Sequence, residues 1–530
     1  MELEELSVTE KAAMLSGGSE WDSRGNEKAG IPNFVMSDGP HGVRRQLGEG
    51  DHLGLGSSKP ATCFPTAGTV ASSWDPALAE EMGKALGNEA HDLDVNVLLG
   101  PGLNIKRNPL CGRNFEYYSE DPIVAGRMAA GLIRGIQSNG VSACPKHFAV
   151  NSQELRRQAS NSVVDERTMR EIYLTAFEIA VREAAPMTIM TSYNEINGVY
   201  AHENKHLLQD ILRNEWGFDG MVVSDWGGSN SAVAAVKAGT LSEADLNARA
   251  AEVAKIAHLT KTEGVGRNDL LKDAVAAAHH EIARKVAENS SVLLKNASAT
   301  LPLQSGTRVA VIGDMSKTPR FQGSGSPKVN ATREENILDE LKNAAATTGV
   351  TVAGYAQGYD RQGAKNQTLI DEATTLAAAD TTDAVIVVVG LDERSESEGL
   401  DRSTMAIPQV QNDLVDALTA TGKPVIIVLV GGFLTFLFAE VIAQAVNFFV
   451  QMKWVFKSDS SFKDAAWKYA ILAVVVVVVN LVLPGYVTSL CQGWGMNAGV
   501  AGTIASVVNT LLAVIVSYPL LKFWIMPKNK

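Results

Sequence analysis

The chain has 530 residues, of which 20% are charged and 45% are hydrophobic, a composition typical of a globular protein with two or three domains. From residue 433 onward, seven lysines and three acids give a net charge of +4. Because the whole chain has a net charge of −12, residues 1–432 have a net charge of −16. This acidic front part argues against nucleic acid as a partner. Four scattered cysteines exclude a disulfide framework, and we expect no metal and no cofactor.

Short apolar runs alternate with longer amphipathic stretches over the first 260 residues. The candidate strands are 34–36, 95–99, 141–143, 188–190 and 221–223, and the segment 166–184 has the periodicity of a helix between two strands. This alternation predicts a parallel α/β barrel over residues 1–265. Polar clusters follow nearly every strand, as the active-site rim of a barrel requires. The first six residues lack the basic start and apolar core of a signal peptide.

A second α/β domain is predicted after the barrel. Residues 273–296, within a linker of 266–300, have the pattern of a long helix. All-apolar strands are predicted at 309–313, 384–390 and 424–430, with helical patterns between them. We therefore expect an open, largely parallel sheet over residues 301–432.

The character of the chain changes at residue 433. Three long apolar segments, at about 433–456, 465–483 and 498–525, each approach the roughly 20 residues needed to cross a hydrocarbon core. They predict an α-helical transmembrane bundle of about three helices over 433–530, with the lipid bilayer as a partner. A water-soluble helical hairpin is the alternative.

The acid that ends the strand at 221–223 is the first candidate for chemistry. Asp225 is followed by Trp226, and an acid at the carboxyl end of a barrel strand is placed for catalysis. The local pattern equally allows Asp225 to cap the next helix. Asp38, in the loop after the first strand, could accept hydrogen bonds from two vicinal hydroxyls, as in sugar sites, or lie in a plain turn.

Two further strand ends carry polar side chains. Lys146 and His147 put two cationic groups at one of them, where they could serve a ligand or form structural salt bridges. The hydroxyl of Tyr193, at the next, could steer a neighbouring carboxylate or cap the core. In the second domain, the acidic loop 395–402 is of a kind that is usually solvated. A glutamate in it that closes over a fixed aspartate would supply the second carboxylate of glycoside hydrolysis.

Six motifs in this order resemble glycoside hydrolase family 3, in particular its β-glucosidases, as far as about residue 432. They are Asp38 in its loop, Gly-Arg-Asn-Phe-Glu at 112–116, Lys-His-Phe-Ala at 146–149, Ser-Tyr-Asn at 192–194, Ser-Asp-Trp at 224–226 and Glu-Gly-Leu-Asp-Arg at 398–402. The resemblance implies a TIM-like (β/α)8 barrel followed by an α/β sandwich. It also implies a retaining mechanism through a covalent glycosyl-enzyme.

Residue roles follow from the same resemblance. Asp225 matches the nucleophile and Glu398 the acid/base, with Glu396 as the second choice for the latter. The matched residues of the sugar pocket are Asp38, Arg113, Lys146, His147, Tyr193 and Trp226, joined by Arg157 or Arg156. The carboxyl groups of the catalytic pair are expected roughly 5 Å apart, the retaining separation.

The chain also departs from the family pattern. After Ala238 and Gly239 the expected aspartate-containing strand is missing, which predicts a shortened and irregular last barrel strand. The sandwich stops early, near residue 432. In its place, residues 439–456 resemble the GtrA-like membrane proteins, which are associated with lipid-linked glucose translocation.

These features predict a membrane-anchored retaining β-glucosidase that acts on a β-glucoside or oligosaccharide. The alternative is a non-hydrolytic glycan- or glycolipid-binding module coupled to a transporter-like membrane domain. A truncated sheet leaves an open edge, so we expect a homo-oligomer in which a partner chain covers it. Lysine-rich ends place the catalytic domain outside if there are three crossings, whereas the missing signal peptide favours the cytoplasmic side of the cell membrane, which we adopt.

Overall fold

The computed structural model describes residues 3–47, 56–229, 243–260, 270–296 and 299–431. All of them belong to one unit, Met1–Phe436, and the second unit, Leu437–Lys530, lies outside the described residues. The predicted membrane segments from residue 433 onward, and the stretch 230–242 that contains the expected departure after Ala238, also lie outside them. Within the described ranges, no helix is both long enough and apolar enough to span a bilayer.

Five short parallel strands form the described part of the barrel wall, and each overlaps a predicted strand. They are β1 (Met36–Asp38), β2 (Val97–Leu99), β3 (Ser142–Ala143), β4 (Thr188–Thr191) and β5 (Met221–Ser224). β1 pairs with β2, β2 with β3, and β4 with β5, all parallel. A parallel bridge between Phe148 and Thr191 links the two groups of strands. A parallel α/β barrel wall is therefore present, as predicted.

The first two strands begin two residues later than predicted, and one side chain explains the shift. The amide oxygen of Asn96 accepts a hydrogen bond from the N–H of Val35 at 2.9 Å, so a side chain replaces the ladder partner at that position. Regular pairing starts with Met36 opposite Val97. Asp38, predicted in the loop, is consequently the last residue of β1.

Helices separate and follow these strands. The α-helices of this region are Val8–Met14, Ala67–Val70, Pro76–Asp92, Pro122–Gln137, Glu166–Thr168, Thr175–Ala184, Glu243–Leu259 and Asp273–Ser290. Met169–Leu174 and His206–Glu215 are π-helical, so the helix predicted over 166–184 is present with a π-helical middle. Asp75 and Asp121 begin two of the helices by accepting N–H groups of the first turn, each just before a proline whose fixed φ suits that position.

The linker helix ends at Ser290, six residues earlier than predicted. The side chains of Asn289 and Ser291 donate hydrogen bonds to the carbonyl groups of Lys285 and Ala287. The Ser291 hydroxyl thereby satisfies the carbonyl of Ala287, which the N–H of Ser291 would have bonded in a longer helix. The backbone is extended at Ser291, so the helix does not continue.

The second domain contains a four-stranded, all-parallel sheet. Its strands are β6 (Arg308–Ile312), β7 (Thr351–Ala356), β8 (Ala384–Gly390) and β9 (Val425–Val430), in the order β7-β6-β8-β9. The helices Ile337–Asn343, Ala345–Thr348, Gln367–Ala378 and Gln409–Thr419 lie between them in sequence. The three predicted strands are confirmed, and the open parallel sheet with them.

β7 was not predicted, and β9 is the more exposed of the predicted strands. Gly354 interrupts the apolar pattern of β7, and the pairing register with β6 shifts at that point, so the sequence lacks a continuous strand signal there. All seven residues of β8 are buried, whereas no residue of β9 is fully buried and Ile427 is 52% exposed. Among the described strands, β9 therefore forms one edge of the sheet.

Candidate active site

Four barrel strands deliver polar residues to one place. Asp38 ends β1, Lys146 and His147 follow β3, Tyr193 follows β4 and Asp225 follows β5. Because parallel strands end at the same edge of a barrel, these side chains meet there. They line one cavity together with side chains from neighbouring loops and from the second domain.

Ten residues line this cavity, which we call the pocket. They are Asp38, Arg113, Lys146, His147, Met190, Tyr193, Asp225, Trp226, Ser326 and Glu398. Eight of the nine site residues predicted from the sequence are among them. The ninth, Arg157, contacts the pocket residue Glu398 through an ion pair.

Asp225 is buried, and its two carboxylate oxygens have different surroundings. Oδ1 accepts a hydrogen bond from the N–H of Trp226 at 2.8 Å. Oδ2 lies 3.6 Å from Nε2 of His147 and accepts no hydrogen bond from the residues that the structure describes. Burial raises the pKa of Asp225 to about 6, although Arg113 acts to lower it. The alternative in which Asp225 caps the next helix is wrong, because the residues that follow it directly, 226–229, form a turn and irregular backbone and not the first turn of a helix.

Two aromatic side chains flank Asp225. Burial raises the pKa of Tyr193 well above its usual range, and the neighbouring Asp225 carboxylate adds to the effect, so the phenol keeps its proton. Tyr193 therefore faces a carboxylate in the pocket, the first of its two predicted alternatives. Trp226 packs on Trp21 with ring centroids 5.0 Å apart, and its Nε1–H donates to the carbonyl of Glu20 at 3.0 Å. These contacts fix the indole beside the acid.

The cationic groups at the pocket are paired with acids. Nζ of Lys146 is 3.0 Å from Oδ1 of Asp38 and 3.3 Å from Oε1 of Glu116. Arg113 forms a 2.6 Å ion pair with Oε2 of the same Glu116. Burial acts to raise the pKa of Glu116, but Arg113 and Lys146 hold it below its usual value. Lys146 thus makes salt bridges and also lines the pocket. The two alternatives that the sequence left open, serving a ligand and forming structural salt bridges, are therefore compatible.

His147 is neutral, which corrects the prediction of two cationic groups at the end of β3. Burial lowers its pKa well below the usual range, and the positive charges of Arg113 and Lys146 add to that effect. Its Nδ1 lies 3.2 Å from the hydroxyl of Tyr117 and 3.3 Å from Oδ1 of Asn104. A neutral imidazole in this network offers one donor and one acceptor.

Glu398 enters the pocket from the second domain. Its Oε1 lies 2.7 Å from Nη1 of Arg157 and 3.6 Å from Nη1 of Arg113, and its Oε2 accepts the N–H of Ser326 at 2.7 Å. Burial acts to raise the pKa of Glu398, but the two arginines and the Ser326 hydrogen bond hold it well below the usual range. The expectation that an acidic loop such as 395–402 is solvated does not hold for this side chain, which is 7% exposed.

The structure also separates the paired candidates that the sequence left open. Arg157 contacts Glu398 and stacks 4.5 Å from the ring centroid of Tyr193, whereas Arg156 is exposed. Glu396 is buried in an ion pair with Arg320 and is not among the residues that line the pocket. Geometry therefore favours Arg157 over Arg156, and Glu398 over Glu396, as groups that act in the pocket.

Sequence reasoning missed two lining residues, Met190 and Ser326. Met190 lies within the predicted strand 188–190, where an apolar residue indicates only core packing. Ser326 belongs to the segment Gly-Ser-Gly-Ser at 323–326, which follows a short 3-10 helix and a turn after β6. That glycine-rich run was the available signal, because glycines allow a backbone N–H to approach a ligand or a side chain closely.

No group of three His, Cys, Asp or Glu side chains in the described ranges is arranged to hold a metal ion. The thiols of Cys63, Cys111 and Cys144 are free, and Cys491 lies outside those ranges. Burial raises the pKa of Cys144 to about 12, so this thiol does not ionise near neutral pH.

The barrel, the basic lining and the two buried carboxylates from separate domains define a class: barrel proteins with a glycosidase-type site. Residues 4–261 match the family model described as the glycosyl hydrolase family 3 N-terminal domain, and residues 291–451 match the C-terminal domain of the same family. The chain belongs to glycosyl hydrolase family 3. The second match continues 19 residues beyond 432, into the first predicted membrane segment.

Three relatives illustrate the similarity. The thermostable β-glucosidase B of Acetivibrio thermocellus is 42% identical over 454 residues, which are 81% of this chain and 59% of that protein. An exo-α-(1→6)-L-arabinopyranosidase of Bifidobacterium longum is 40% identical over 464 residues, covering 81% of this chain and 60% of its own length. The crystal structure of a Bifidobacterium adolescentis family 3 β-glucosidase superposes with a TM-score of 0.74 at 40% identity, covering 81% and 64% of the two chains. The chain thus spans about three fifths of the length of these two curated relatives.

Proposed function

We propose that the chain hydrolyses terminal, non-reducing β-D-glucosyl residues with retention of configuration. One observation carries the proposal: two buried carboxylates, Asp225 from the barrel and Glu398 from the second domain, line the same cavity. Retaining hydrolysis requires a pair of acids on opposite sides of the scissile bond. The names of the β-glucosidase relatives suggest glucose as the sugar.

In the proposed first step, Oδ2 of Asp225 attacks the anomeric carbon while Glu398 gives a proton to the departing oxygen. The bond between the anomeric carbon and that oxygen breaks, and a covalent glycosyl-enzyme ester remains on Asp225. In the second step, Glu398 removes a proton from a water molecule, which attacks the same carbon and releases both the sugar and the Asp225 carboxylate. The two oxygens differ in a way that supports this assignment, because the N–H of Trp226 holds Oδ1, whereas Oδ2 accepts no hydrogen bond within the described residues.

The remaining pocket residues would bind the sugar hydroxyls. Asp38 offers carboxylate acceptors, Arg113 and Lys146 offer charged donors, and neutral His147 offers one of each. Asp38 and Lys146 already contact each other at 3.0 Å, so a hydroxyl between them could donate to one and accept from the other. Such reciprocal, charge-assisted bonds favour a polyhydroxylated ring over an apolar ligand.

We expect the purified chain to release nitrophenol from 4-nitrophenyl β-D-glucopyranoside and to form β-glucose first, as followed by proton NMR before mutarotation. The Asp225→Asn variant serves as the inactive control. An α-glucose first product would contradict the retaining mechanism. Absence of turnover on several β-glycosides, together with measurable sugar binding, would instead favour the non-hydrolytic glycan-binding module.

A second candidate activity is hydrolysis of α-L-arabinopyranosides. The 40% identity to an exo-α-(1→6)-L-arabinopyranosidase supports it as much as a β-glucosidase of similar identity supports the first. The two sugars differ at C4 and in the presence of the C6 hydroxymethyl group. Comparing kcat/KM for the two 4-nitrophenyl glycosides decides between them, and we expect the glucoside to be preferred.

We further propose that residues 433–530 attach the catalytic part to a bilayer as a GtrA-like domain, with the hydrolase on the cytoplasmic side of the cell membrane and as a homo-oligomer. The support is the sequence alone, namely three long apolar segments with lysines near their ends. Carbonate extraction of membranes tests the attachment to the bilayer, and light scattering of the detergent-solubilised protein tests the oligomeric state. A carbonate-soluble or monomeric protein would contradict them.

A further inference from the structure

Glu398 lies on a loop that leaves the second domain and meets the barrel. The loop follows the strand β8, and its backbone is held on its own side by Ser324, which accepts the N–H of Glu398 at 3.0 Å and donates to the carbonyl of Glu396 at 3.1 Å. These bonds do not relate the loop to Asp225, which belongs to the barrel. Placing Glu398 opposite Asp225 therefore requires contacts that cross between the domains.

Asp401, three residues after Glu398, makes the first set of such contacts. Its Oδ1 accepts the backbone N–H groups of Gly112 at 3.1 Å and Glu154 at 3.0 Å. Its Oδ2 accepts those of Glu154 at 3.0 Å and Leu155 at 2.9 Å. A carboxylate that gathers three N–H groups makes charge-assisted bonds, which are stronger than neutral ones. The side chain of Asp401 thus joins the sandwich loop to two barrel loops.

Glu154 makes the reciprocal contact from the barrel. Its Oε2 accepts the backbone N–H of Gly399, the residue next to Glu398, at 2.8 Å. The same oxygen lies 2.9 Å from Nη1 of Arg157, and this nitrogen is 2.7 Å from Oε1 of Glu398. The Glu154 side chain has no exposed surface. It therefore holds both the backbone beside Glu398 and the guanidinium group that Glu398 contacts.

Gly112 shows how closely the loop approaches the barrel. A Cβ atom at this position would overlap the carbonyl oxygens of Leu400 and Ser397. The N–H of Arg402 also donates to the carbonyl of Leu110 at 2.7 Å, which adds one more hydrogen bond between the loop and the barrel. The loop is therefore seated on barrel backbone on both sides of Glu398, with no space for a side chain at Gly112.

We propose that Glu154 and Asp401 are positioning residues that dock the loop bearing Glu398 onto the barrel and so place the acid/base opposite Asp225. This inference rests on the proposed glycosidase function. Neither side chain lines the pocket, so each acts through Glu398 and not on the sugar. Catalytic groups need placement to a fraction of an ångström, and a misplacement of about 1 Å costs on the order of 10²-fold in rate.

If Glu154 and Asp401 position Glu398, replacing either residue should cause a selective loss of general acid catalysis. A dinitrophenolate leaves the sugar without needing a proton, whereas the alkoxide of methyl β-D-glucoside must be protonated as it leaves. General acid catalysis contributes roughly 10²–10⁴-fold, and only the second substrate depends on it. We therefore expect Glu154→Leu and Asp401→Ala to lower kcat/KM for methyl β-D-glucoside by about 100-fold or more. The same variants should lose less than about 10-fold on 2,4-dinitrophenyl β-D-glucoside.

The experiment measures both substrates with the full chain and these two variants. Retained turnover of the dinitrophenyl substrate shows that a variant is folded. Glu154→Gln keeps an amide oxygen for the N–H of Gly399, so its loss should be intermediate between wild type and Glu154→Leu. Gly112→Ala displaces the same loop by steric overlap and should reproduce the selective loss without changing a charge.

Glu89→Gln is the matched control, because Glu89 is a buried carboxylate that also bonds a backbone N–H, that of Thr62, and a basic side chain, His279. Its effect should be equal on both substrates. Equal losses on both substrates for Glu154→Leu and Asp401→Ala would overturn the inference while the proposed function stands. A wild-type chain inactive on both substrates would overturn both.

Discussion

The Asp225→Asn variant is expected to lose at least about 10³-fold in kcat on activated aryl β-glucosides, because removal of a nucleophile leaves only binding and electrostatic effects. Asparagine has nearly the same volume and can still accept the N–H of Trp226, so the fold should persist. The measurement is the steady-state rate on 2,4-dinitrophenyl β-D-glucoside, with the thermal midpoint of unfolding as a check of the fold. A loss of less than about 10-fold would contradict the nucleophile role.

A trapping experiment tests the same role without a mutation. A 2-deoxy-2-fluoro-β-D-glucoside with a good leaving group should form a stable ester with the wild-type chain, because the fluorine slows both steps and the good leaving group restores the rate of the first step only. Peptide mass spectrometry should then find the sugar on the peptide that contains Asp225. Asp38 is the matched acid, since it also lines the pocket but is bonded to Lys146. A label on Asp38 would reassign the nucleophile.

The pH dependence of the activated substrate follows from the pKa of Asp225. The nucleophile must be ionised, and burial raises its pKa to about 6. Lowering the pH through 6 protonates Asp225, so kcat/KM for 2,4-dinitrophenyl β-D-glucoside should fall on the acid side and level off above about pH 7. Because Asp225 and Glu398 interact, the measured value belongs to the pair. A flat profile between pH 5 and 8 would contradict this expectation.

The sequence predicted the location of the pocket well because strand order alone determines it. Asp38, Lys146, Tyr193 and Asp225 each end or follow a short apolar strand, and parallel strands bring their carboxyl ends to one edge. No side-chain detail is needed for that conclusion. The same logic extended to the second domain, where three all-apolar strands defined a buried parallel sheet.

The protonation states and contact partners of the site residues could not be predicted from the sequence, because they depend on burial by segments that are distant in the chain. His147 was expected to be cationic, yet Arg113 and Lys146 lie beside it in a closed environment, and neither the burial nor this closeness is visible in the sequence. Ser326 reaches Glu398 across 72 residues of chain. β7 was missed because Gly354 interrupts its apolar pattern, while pairing with β6 is decided by tertiary structure.

The protonation of Glu398 presents a further requirement of the proposed mechanism. Its contacts with Arg157 and Arg113 lower its pKa and so favour the ionised form, which the second, base-catalysed step needs. The first step needs the protonated form. For a substrate with a poor leaving group, kcat/KM should therefore fall as the pH rises above about 6, where the pair loses its last proton. This is opposite to the direction for the activated substrate, and identical profiles for the two would contradict it.

Replacement of Glu398 by alanine is expected to remove the general acid and base while leaving Asp225 able to attack. We expect kcat/KM for methyl β-D-glucoside to fall by roughly 10²–10⁴-fold, with a much smaller loss on 2,4-dinitrophenyl β-D-glucoside. On the activated substrate the second step becomes slow, because water must attack the ester without a base. Azide is a nucleophile that needs no base and fits the space left by the side chain, so it should restore kcat and yield β-glucosyl azide.

Glu396→Ala is the control for this test, because Glu396 lies two residues from Glu398 and was the competing candidate for the acid/base. Its ion pair with Arg320 is buried outside the pocket lining, so its loss should affect both substrates alike and azide should not change the rate. If azide instead rescued Glu396→Ala and left Glu398→Ala unchanged, the acid/base would be Glu396. The loop would then have to shift when sugar binds, so that Glu396 replaces Glu398 in the pocket. Such a shift would break the hydrogen bonds between Asp401 and the barrel backbone. Those bonds favour the assignment to Glu398, because they hold it in the pocket before any substrate arrives.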